Sequence, residues 1–315
     1  MAPAGPIFVA GHGGLIGSAV LRRLKGAGAA DVLTRSRAEL ELRDGPAVEA
    51  FFQRHRPRTV VLAAGRVGGI MQNKSQPADM IAENLAIQQN VIGAAHRTGV
   101  ERLVFFASSC MYPRECPQPM KENLLWTGLP EPTSIAYAAA KMAGVEMCLA
   151  YNRQHGQGRF LPVIPNNAYG PNDDFDPASS HVLSALLRRF HEAKLSGAPS
   201  VTLWGSGAPR REFIHADDIA DACLHLLARD AAALEWPMNV GTGVDHSIAE
   251  LAEAIRAVVG YSGKIEWDRT KPDGAPRKFL DSGRLAATGW RPRIGLEEGL
   301  RSTYAWYLSQ EGVPA

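Results

Sequence analysis

Residues 7–17, IFVAGHGGLIG, decide the fold of this chain of 315 residues. The apolar run at residues 7–10 is typical of a parallel strand that is buried on both faces. Three glycines follow at three-residue spacing, which permits a tight turn, lets the backbone approach a pyrophosphate and lets the next helix pack closely against the strand. We predict that this helix continues to Leu24 and that the turn binds a dinucleotide. The candidate cofactor-binding residues here are Gly11, Gly14, Leu15, Ile16 and Gly17.

Further apolar runs alternate with amphipathic segments along the first half of the chain. Strands are predicted at residues 31–34, 59–63, 102–107 and 160–164, and helices at residues 46–54 and 77–98. This alternation predicts an α/β fold with a doubly wound parallel sheet (Rossmann fold), in which ligands bind at the carboxyl ends of the strands. Pro162 predicts interrupted pairing in the last of these strands, because proline cannot donate to the ladder.

A change of composition after residue 166 predicts a second domain. Residues 167–177 read as a long polar loop, which leads to His181 at the start of an amphipathic helix. A histidine at that position is either a helix cap or a proton donor to a substrate. The predicted organisation is a cofactor domain at residues 1–166, to which the chain returns near residues 212–243, and a smaller C-terminal α/β substrate domain within residues 167–315.

The second predicted strand ends in two arginines, Arg35 and Arg37. A domain that binds NAD usually carries an acidic residue there for the adenosine ribose. Guanidinium groups would instead pair with a 2′-phosphate through charge-assisted hydrogen bonds. The sequence therefore predicts NADP, with the alternative that both arginines are solvated loop residues. Ala63 and Ala64, at the carboxyl end of the next strand, are further candidate cofactor contacts.

The side chains best suited to catalysis come from two short segments. Tyr137 and Lys141 lie one helical turn apart on the same face, so an ammonium can stabilise the phenolate, and we predict that the pKa of the tyrosine is lowered. Ser108, which follows a predicted strand, can hydrogen-bond to the same carbonyl oxygen of a substrate. Cys110 adds a further acid/base group. The four side chains together predict one catalytic pocket.

Composition narrows the possible classes of function. The net charge of +2 gives no support for a nucleic-acid or membrane-surface partner. The four cysteines show no metal-type CxxC pair, so we expect free thiols and no metal site. No apolar run approaches the length of a membrane span, and the N-terminal residues lack the basic segment of a signal peptide. We therefore expect a cytoplasmic protein.

Short motifs extend along nearly the whole chain. The most specific are SSCMYP at residues 108–113 and SHVLSALLRRFHEA at residues 180–193. Others are GHGGLIGS at 11–18, YAAAKMAG at 137–144, WGSG at 204–207, REF at 211–213 and KPDG at 271–274. Together they resemble the extended short-chain dehydrogenase/reductase family, in the branch that acts on GDP-linked 4-keto sugars.

The resemblance implies an NADPH-dependent enzyme that epimerises C3 and C5 of GDP-4-keto-6-deoxy-D-mannose and reduces its C4 ketone. Cys110 and His181 match the family's acid/base positions for epimerisation. Tyr137, helped by Lys141 and Ser108, matches the proton donor for reduction.

The resemblance also implies a homodimer. It further implies that Lys141 and Asn167 contact the cofactor and that the GDP-sugar contacts are Arg189, Trp204, Arg211 and Lys278.

Some positions leave alternatives open. Trp204 is equally compatible with a core residue, and Lys278 with a solvated loop lysine. Gly13 stands where the family usually has arginine, so the NADP prediction depends on Arg35 and Arg37. Residues 167–174 and 135–136 also depart from the family pattern beside the sugar pocket.

Two alternative functions stay open. The first is an enzyme that catalyses one or both reactions on a related GDP-4-keto sugar, such as a deoxyhexose or heptose derivative. The second, from a different class, is a non-catalytic dinucleotide-binding sensor.

Overall fold

The computed structural model describes residues 3–156, 158–177, 179–310 and 312–313. Residues 1–2 of the N-terminal segment considered above lie outside the described residues. The strands are β1 (Ile7–Ala10), β2 (Val32–Leu33), β3 (Thr59–Leu62), β4 (Arg102–Phe106), β5 (Phe160–Pro165), β6 (Asn167–Tyr169), β7 (Ser200–Trp204), β8 (Arg210–His215), β9 (Met238–Val240), β10 (Asp245–Ser247), β11 (Lys264–Asp268) and β12 (Arg277–Lys278). The α-helices are α1 (Leu15–Gly26), α2 (Gly45–His55), α3 (Ile70–Ser75), α4 (Pro77–Arg97), α5 (Ile135–His155), α6 (Val182–Ser196), α7 (Ala216–Leu227), α8 (Ile248–Val259), α9 (Gly283–Ala287) and α10 (Leu296–Leu308).

Six parallel strands form the central sheet in the order β2-β1-β3-β4-β5-β9. This order confirms the predicted doubly wound α/β fold. The strand order reverses between β1 and β3, and open α/β sheets bind ligands at such a switch point. Helices α2, α4 and α5 bury apolar side chains such as Val91 and Met142 against one face, while α1 and α7 bury Val20 and Ile219 against the other.

The C-terminal half builds a second layer beside the carboxyl edge of the central sheet. β8 pairs with β10, β12 and β6, and β7 pairs with β11. Helices α6, α8 and α10 close this region around a third apolar cluster that includes Phe190, Leu251 and Leu300. Among the described residues, no helix is long and apolar enough to cross a membrane.

The predicted interruption of pairing at Pro162 is wrong. Pairing of β5 with β4 runs through this residue, which lies opposite Phe105. β5 offers the carbonyl oxygens of Arg159 and Val163 to β4, so the missing N–H of Pro162 lies on the β9 side, because successive residues of a parallel strand face alternate neighbours. Pairing with β9 begins only at Val163, and the proline therefore removes no bond from either ladder.

The long polar loop predicted after β5 contains a strand. β6 pairs in parallel with β8 through Asn167↔Phe213 and Tyr169↔His215. Three residues are too few for an alternating pattern to appear in the sequence, and the partner strand lies more than forty positions later. The loop proper is therefore shorter than predicted, and it connects β6 to α6.

The carboxylate of Glu212, in β8, joins the two layers. It is completely buried, and its oxygens accept hydrogen bonds from the backbone N–H groups of Thr242, Gly243 and Leu280 at 2.7, 2.8 and 3.0 Å. The side-chain amide of Asn166 donates to the same carboxylate. Four donors from three separate segments therefore converge on one side chain.

We predict that Glu212→Gln lowers the free energy of unfolding by about 2 to 4 kcal/mol, because an amide NH₂ would face buried N–H donors that then lack an acceptor. Urea denaturation followed by circular dichroism measures this change. Glu266→Gln, on the exposed surface of β11, is the matched control and should stay within about 0.5 kcal/mol of the wild type. An equally small effect at Glu212 would show that the buried carboxylate contributes no stability.

Candidate functional site

The glycine turn shapes the first cavity. Gly11 has a φ of +84°, and a Cβ there would lie 2.6 Å from the backbone nitrogen of Ala64. A Cβ on Gly17 would overlap the carbonyl oxygen of Gly11, so both positions require glycine. Gly14 precedes α1 and provides no side-chain cap. The backbone N–H groups at the N-terminus of α1 are therefore free to bind an anion such as a phosphate.

This first cavity, of about 520 Å³, lies along the carboxyl edge of β1, β2 and β3. Apolar side chains, among them Leu40, Leu42 and Ile87, provide surface for a flat ring. Guanidinium groups stand around them. Of the predicted cofactor contacts, the lining includes Gly11, Gly14, Arg35, Arg37, Ala63 and Ala64, but not Leu15, Ile16, Gly17 or Lys141.

The structure brings the predicted catalytic side chains together at the carboxyl end of β4. Ser108 caps a 3-10 turn, and its hydroxyl accepts a hydrogen bond from the backbone N–H of Cys110 at 3.4 Å. Lys141 is buried, and its Nζ donates to the carbonyl oxygen of Phe106 at 2.9 Å. The same nitrogen lies 5.8 Å from the centre of the Tyr137 ring.

The predicted lowering of the tyrosine pKa is wrong for this structure. Burial raises the pKa of Tyr137, nearby Cys110 raises it further, and a hydrogen bond with Ser108 lowers it by less. Burial also lowers the pKa of Lys141, to about 8. Desolvation of the phenolate therefore outweighs any attraction to the ammonium. Tyr137 is consequently a neutral phenol at pH 7, the form that can donate a proton.

Burial likewise raises the pKa of the Cys110 thiol, while the Ser108 hydroxyl and the ammonium groups of Lys278 and Lys141 act in the opposite direction. A protonated thiol is the form that returns a proton to a substrate, and the two neighbouring cations lower the cost of its removal. Cys110 can thus donate a proton as the thiol and accept one as the thiolate.

A second cavity, of about 530 Å³, opens between the central sheet and the C-terminal layer. His181 precedes α6 and lines this cavity, as do Asn167, Trp204 and Arg211. The core alternative for Trp204 is wrong, because the residue is 72% exposed. Arg189 is exposed one helical turn beyond Ala185 and is not among the residues that line the cavity.

Lys278 lies in β12, in register with Arg211 of β8. Burial lowers the pKa of its ammonium, and Arg211 lowers it further, while Cys110 raises it. The solvated-loop alternative for this lysine is therefore wrong. Its position between Cys110 and Arg211 connects the catalytic cluster to the second cavity.

Several residues of the two cavities were not identified from the sequence. Asp273 lines the second cavity and accepts hydrogen bonds from the backbone N–H and hydroxyl of Ser206, at 2.8 and 2.6 Å. Asp273 belongs to the KPDG motif at residues 271–274, but the motif alone does not indicate what the carboxylate contacts. Arg43 and Arg66 line the first cavity. Their positions follow from loop geometry that no local pattern encodes.

Comparison with known proteins agrees with this arrangement. Residues 7–241 match the model of the NAD dependent epimerase/dehydratase family. The chain belongs to this family. The match confirms the resemblance drawn from the motifs, and the matched span contains both the glycine turn and the Tyr137–Lys141 pair.

Individual relatives cover almost the whole chain. GDP-L-fucose synthase 1 of Arabidopsis thaliana is 52% identical over 302 residues, covering 96% of this chain and 93% of that protein. GDP-L-fucose synthase of Escherichia coli K12 is 49% identical over 314 residues, covering 97% of each. Among solved structures, a GDP-mannoheptose C4 reductase from Campylobacter jejuni with NADP bound is 37% identical, with a TM-score of 0.89, and covers 98% of this chain and 100% of that one.

We predict that Trp204→Ala leaves the free energy of unfolding within about 0.5 kcal/mol of the wild type, because the side chain is largely exposed. The same substitution should weaken GDP binding about tenfold through loss of an aromatic contact. Trp126→Ala is the matched control, since Trp126 is 68% exposed and is not among the lining residues of this cavity. Isothermal titration with GDP checks both variants, and equal affinities would contradict a nucleotide-binding role for Trp204.

Proposed function

We propose that this chain catalyses the NADPH-dependent 3,5-epimerisation and C4 reduction of GDP-4-keto-6-deoxy-D-mannose to GDP-L-fucose. The observation that carries the proposal is the cluster of Ser108, Cys110, Tyr137 and Lys141, joined through Lys278 to a cavity that His181 lines. Relatives at 49 to 52% identity that bear the name GDP-L-fucose synthase support the same activity.

The first cavity fits NADPH. Its glycine turn has room for a pyrophosphate only because Gly11 and Gly17 lack side chains, and its apolar lining suits an adenine ring. Arg35 and Arg37 stand where a 2′-phosphate would be held. When bound, NADPH supplies the hydride for the C4 carbon of the sugar.

Reduction of a ketone also requires a proton at the new alkoxide oxygen, and Tyr137 is the donor in this proposal. Its phenol stays protonated at pH 7 because burial raises its pKa. Ser108 orients the carbonyl oxygen beside it, and the Lys141 ammonium favours the phenolate that remains after transfer. Lys141 is fixed in this position by its bond to the Phe106 carbonyl.

Epimerisation requires removal of a proton from one face of the sugar and return of a proton to the other. The C4 ketone acidifies the hydrogens on C3 and C5, so side chains of ordinary basicity suffice. We assign this chemistry to Cys110 and His181, which approach the substrate region from two different layers of the fold. Lys278 and Arg211 supply positive charge between them, which suits both a developing enolate and a diphosphate.

The experiment that tests this function follows NADPH oxidation in the presence of GDP-4-keto-6-deoxy-D-mannose and identifies the product by NMR. GDP-L-fucose as the product supports both reactions. An unepimerised product would restrict the function to reduction, the activity for which the solved GDP-mannoheptose C4 reductase is named. No turnover would reject this substrate in favour of another GDP-4-keto sugar, and no turnover of any such sugar would favour a dinucleotide-binding sensor.

The two half-reactions should separate by mutation. We predict that Tyr137→Phe lowers reduction at least about 100-fold while solvent deuterium still enters at C3 and C5, because only the reduction needs the phenol proton. Cys110→Ser should have the reverse effect, slowing deuterium entry more than the reduction of an already epimerised sugar. Retention of both activities in Tyr137→Phe would reject its role, and equal losses in Cys110→Ser would indicate a binding role instead.

We further propose a homodimer that forms through α4 and α5. The face of α5 that carries Ala139, Ala143 and Ala150 is partly exposed although it is largely apolar, and Leu85 of α4 is exposed beside it. Two copies that pair these helices would remove this surface from water. A second copy is the occupant that we propose for this surface, which also carries the exposed ion pair of Glu146 with Arg153.

We predict that Ala143→Arg converts a dimer to a monomer in light scattering after size exclusion, because a charged side chain would be buried between the helices. Ala257→Arg, on the exposed side of α8, is the matched control and should keep the mass of the wild type. A monomeric wild type, or a dimer that survives Ala143→Arg, would contradict this interface.

A cytoplasmic location completes the proposal. All four cysteines, Cys110, Cys116, Cys148 and Cys223, are free thiols. Free thiols are typical of proteins in a reducing compartment.

A further inference from the structure

Four guanidinium groups line the cavity assigned above to the cofactor: Arg35, Arg37, Arg43 and Arg66. The four side chains differ in the hydrogen-bond and ion-pair partners that the protein itself provides. Arg66 is held by Glu83 and Gln76. Arg35 donates to the carbonyl oxygen of Thr34 at 2.7 Å, packs over the Phe51 ring, and has no carboxylate partner among the described residues.

Arg43 comes from the segment between β2 and α2, and two carboxylates hold it. Its Nη2 lies 2.7 Å from Oε2 of Glu41, and its Nη1 lies 3.3 Å from Oε2 of Glu83. The backbone N–H of Arg43 donates to Oε1 of Glu41 at 3.0 Å. The guanidinium is thus fixed at the cavity wall in the absence of any ligand contact.

Arg37 shares the same carboxylate but is held less firmly. Its Nε lies 2.9 Å from Oε2 of Glu41, and its Nη2 lies 3.9 Å from Oε2 of Glu83, against 3.3 Å for Arg43. The side chain of Arg37 is 69% exposed, against 37% for Arg43. A side chain that is already ordered loses less conformational entropy when it binds a ligand. Arg43 is therefore better prepared than Arg37 to bind an anion in this cavity.

We propose that Arg43 is a specificity-determining residue that binds the 2′-phosphate of NADPH together with Arg35, and that Glu41 holds Arg43 in place until the phosphate arrives. The inference depends on the proposed function in one respect, the identity of the cofactor. Gly13, in the glycine turn, has no side chain to offer a phosphate, and three of the arginines that line the cavity come from the segment after β2.

The charges of the cavity support this assignment. Ion pairs within 4 Å connect Arg37, Arg43 and Arg66 to Glu41, Glu83 and Asp79, whereas no carboxylate of the described residues lies this close to Arg35. A 2′-phosphate carries a charge of about −2 at pH 7, so it would attract Arg35 and Arg43, whereas the 2′-hydroxyl of NADH carries no charge. Hydrogen bonds from Arg43 and Arg37 lower the pKa of Glu41 to about 2, and the carboxylate that competes with the phosphate is therefore fully charged.

The test measures binding of NADPH and NADH to the purified chain by isothermal titration, without sugar. We expect Arg43→Gln to raise the Kd for NADPH about 10- to 100-fold, the effect of losing charge-assisted hydrogen bonds, and to change the Kd for NADH less than about threefold. Arg43→Lys should recover part of the loss, since it keeps the charge but not the paired donors. Arg54→Gln, exposed on α2, is the matched control.

Equal weakening of NADPH and NADH by Arg43→Gln would overturn the inference, because it would show a general loss of cavity structure. Unchanged NADPH affinity would overturn it as well. The proposed reaction is tested separately: a wild type that binds NADPH but does not turn over the GDP-sugar would reject the reaction and leave the role of Arg43 intact.

Discussion

A buried carboxylate with no basic partner among the described residues is the constraint on which this structure depends. Backbone N–H groups from residues 242, 243 and 280 and the amide of Asn166 surround the carboxylate of Glu212 and satisfy its oxygens in the interior. Close approach is possible because Gly241 has no side chain, and a Cβ there would lie 2.6 Å from Oε1 of Glu212. Moving any of these segments would leave a buried charge unsatisfied, so they are fixed relative to one another.

The site follows from this constraint. Asn166 also accepts a hydrogen bond from the hydroxyl of Ser109 at 3.1 Å, which ties Glu212 to the turn that carries Cys110. On the other side, the bond to Leu280 fixes β12 beside β8, and this register places Lys278 next to Arg211. Two like charges are thereby held together in a partly buried place, an arrangement that an anionic substrate stabilises. One carboxylate therefore connects the segment that carries Cys110 to the strand pair that carries Lys278 and Arg211.

Local patterns were sufficient to predict the fold, and they also select the side chains that the structure brings together at the carboxyl end of β4. The glycine turn, the βαβ alternation and the Tyr137–Lys141 pair depend on residues close in sequence, and each has a steric requirement that few residue types satisfy. The predictions that failed depend on distant partners. Pro162 is tolerated because of where β9 begins, and β6 forms because β8 is available to pair with it. Arg43 and Asp273 were missed because the loops that carry them are positioned by contacts far along the chain.

The failed prediction about Tyr137 is the most informative, because it shows how the protonation states of this pocket depend on one another. The sequence gives the position of the ammonium but not the extent of burial, and burial decides the sign of the pKa shift. Cys110 and Tyr137 are then coupled: a negative charge on the thiolate raises the pKa of the phenol and also raises that of Lys141. While Cys110 has given up its proton, Tyr137 is held protonated and Lys141 charged. In the proposed mechanism, the thiolate state of Cys110 that precedes proton removal from the sugar therefore favours the protonated phenol on which the reduction depends.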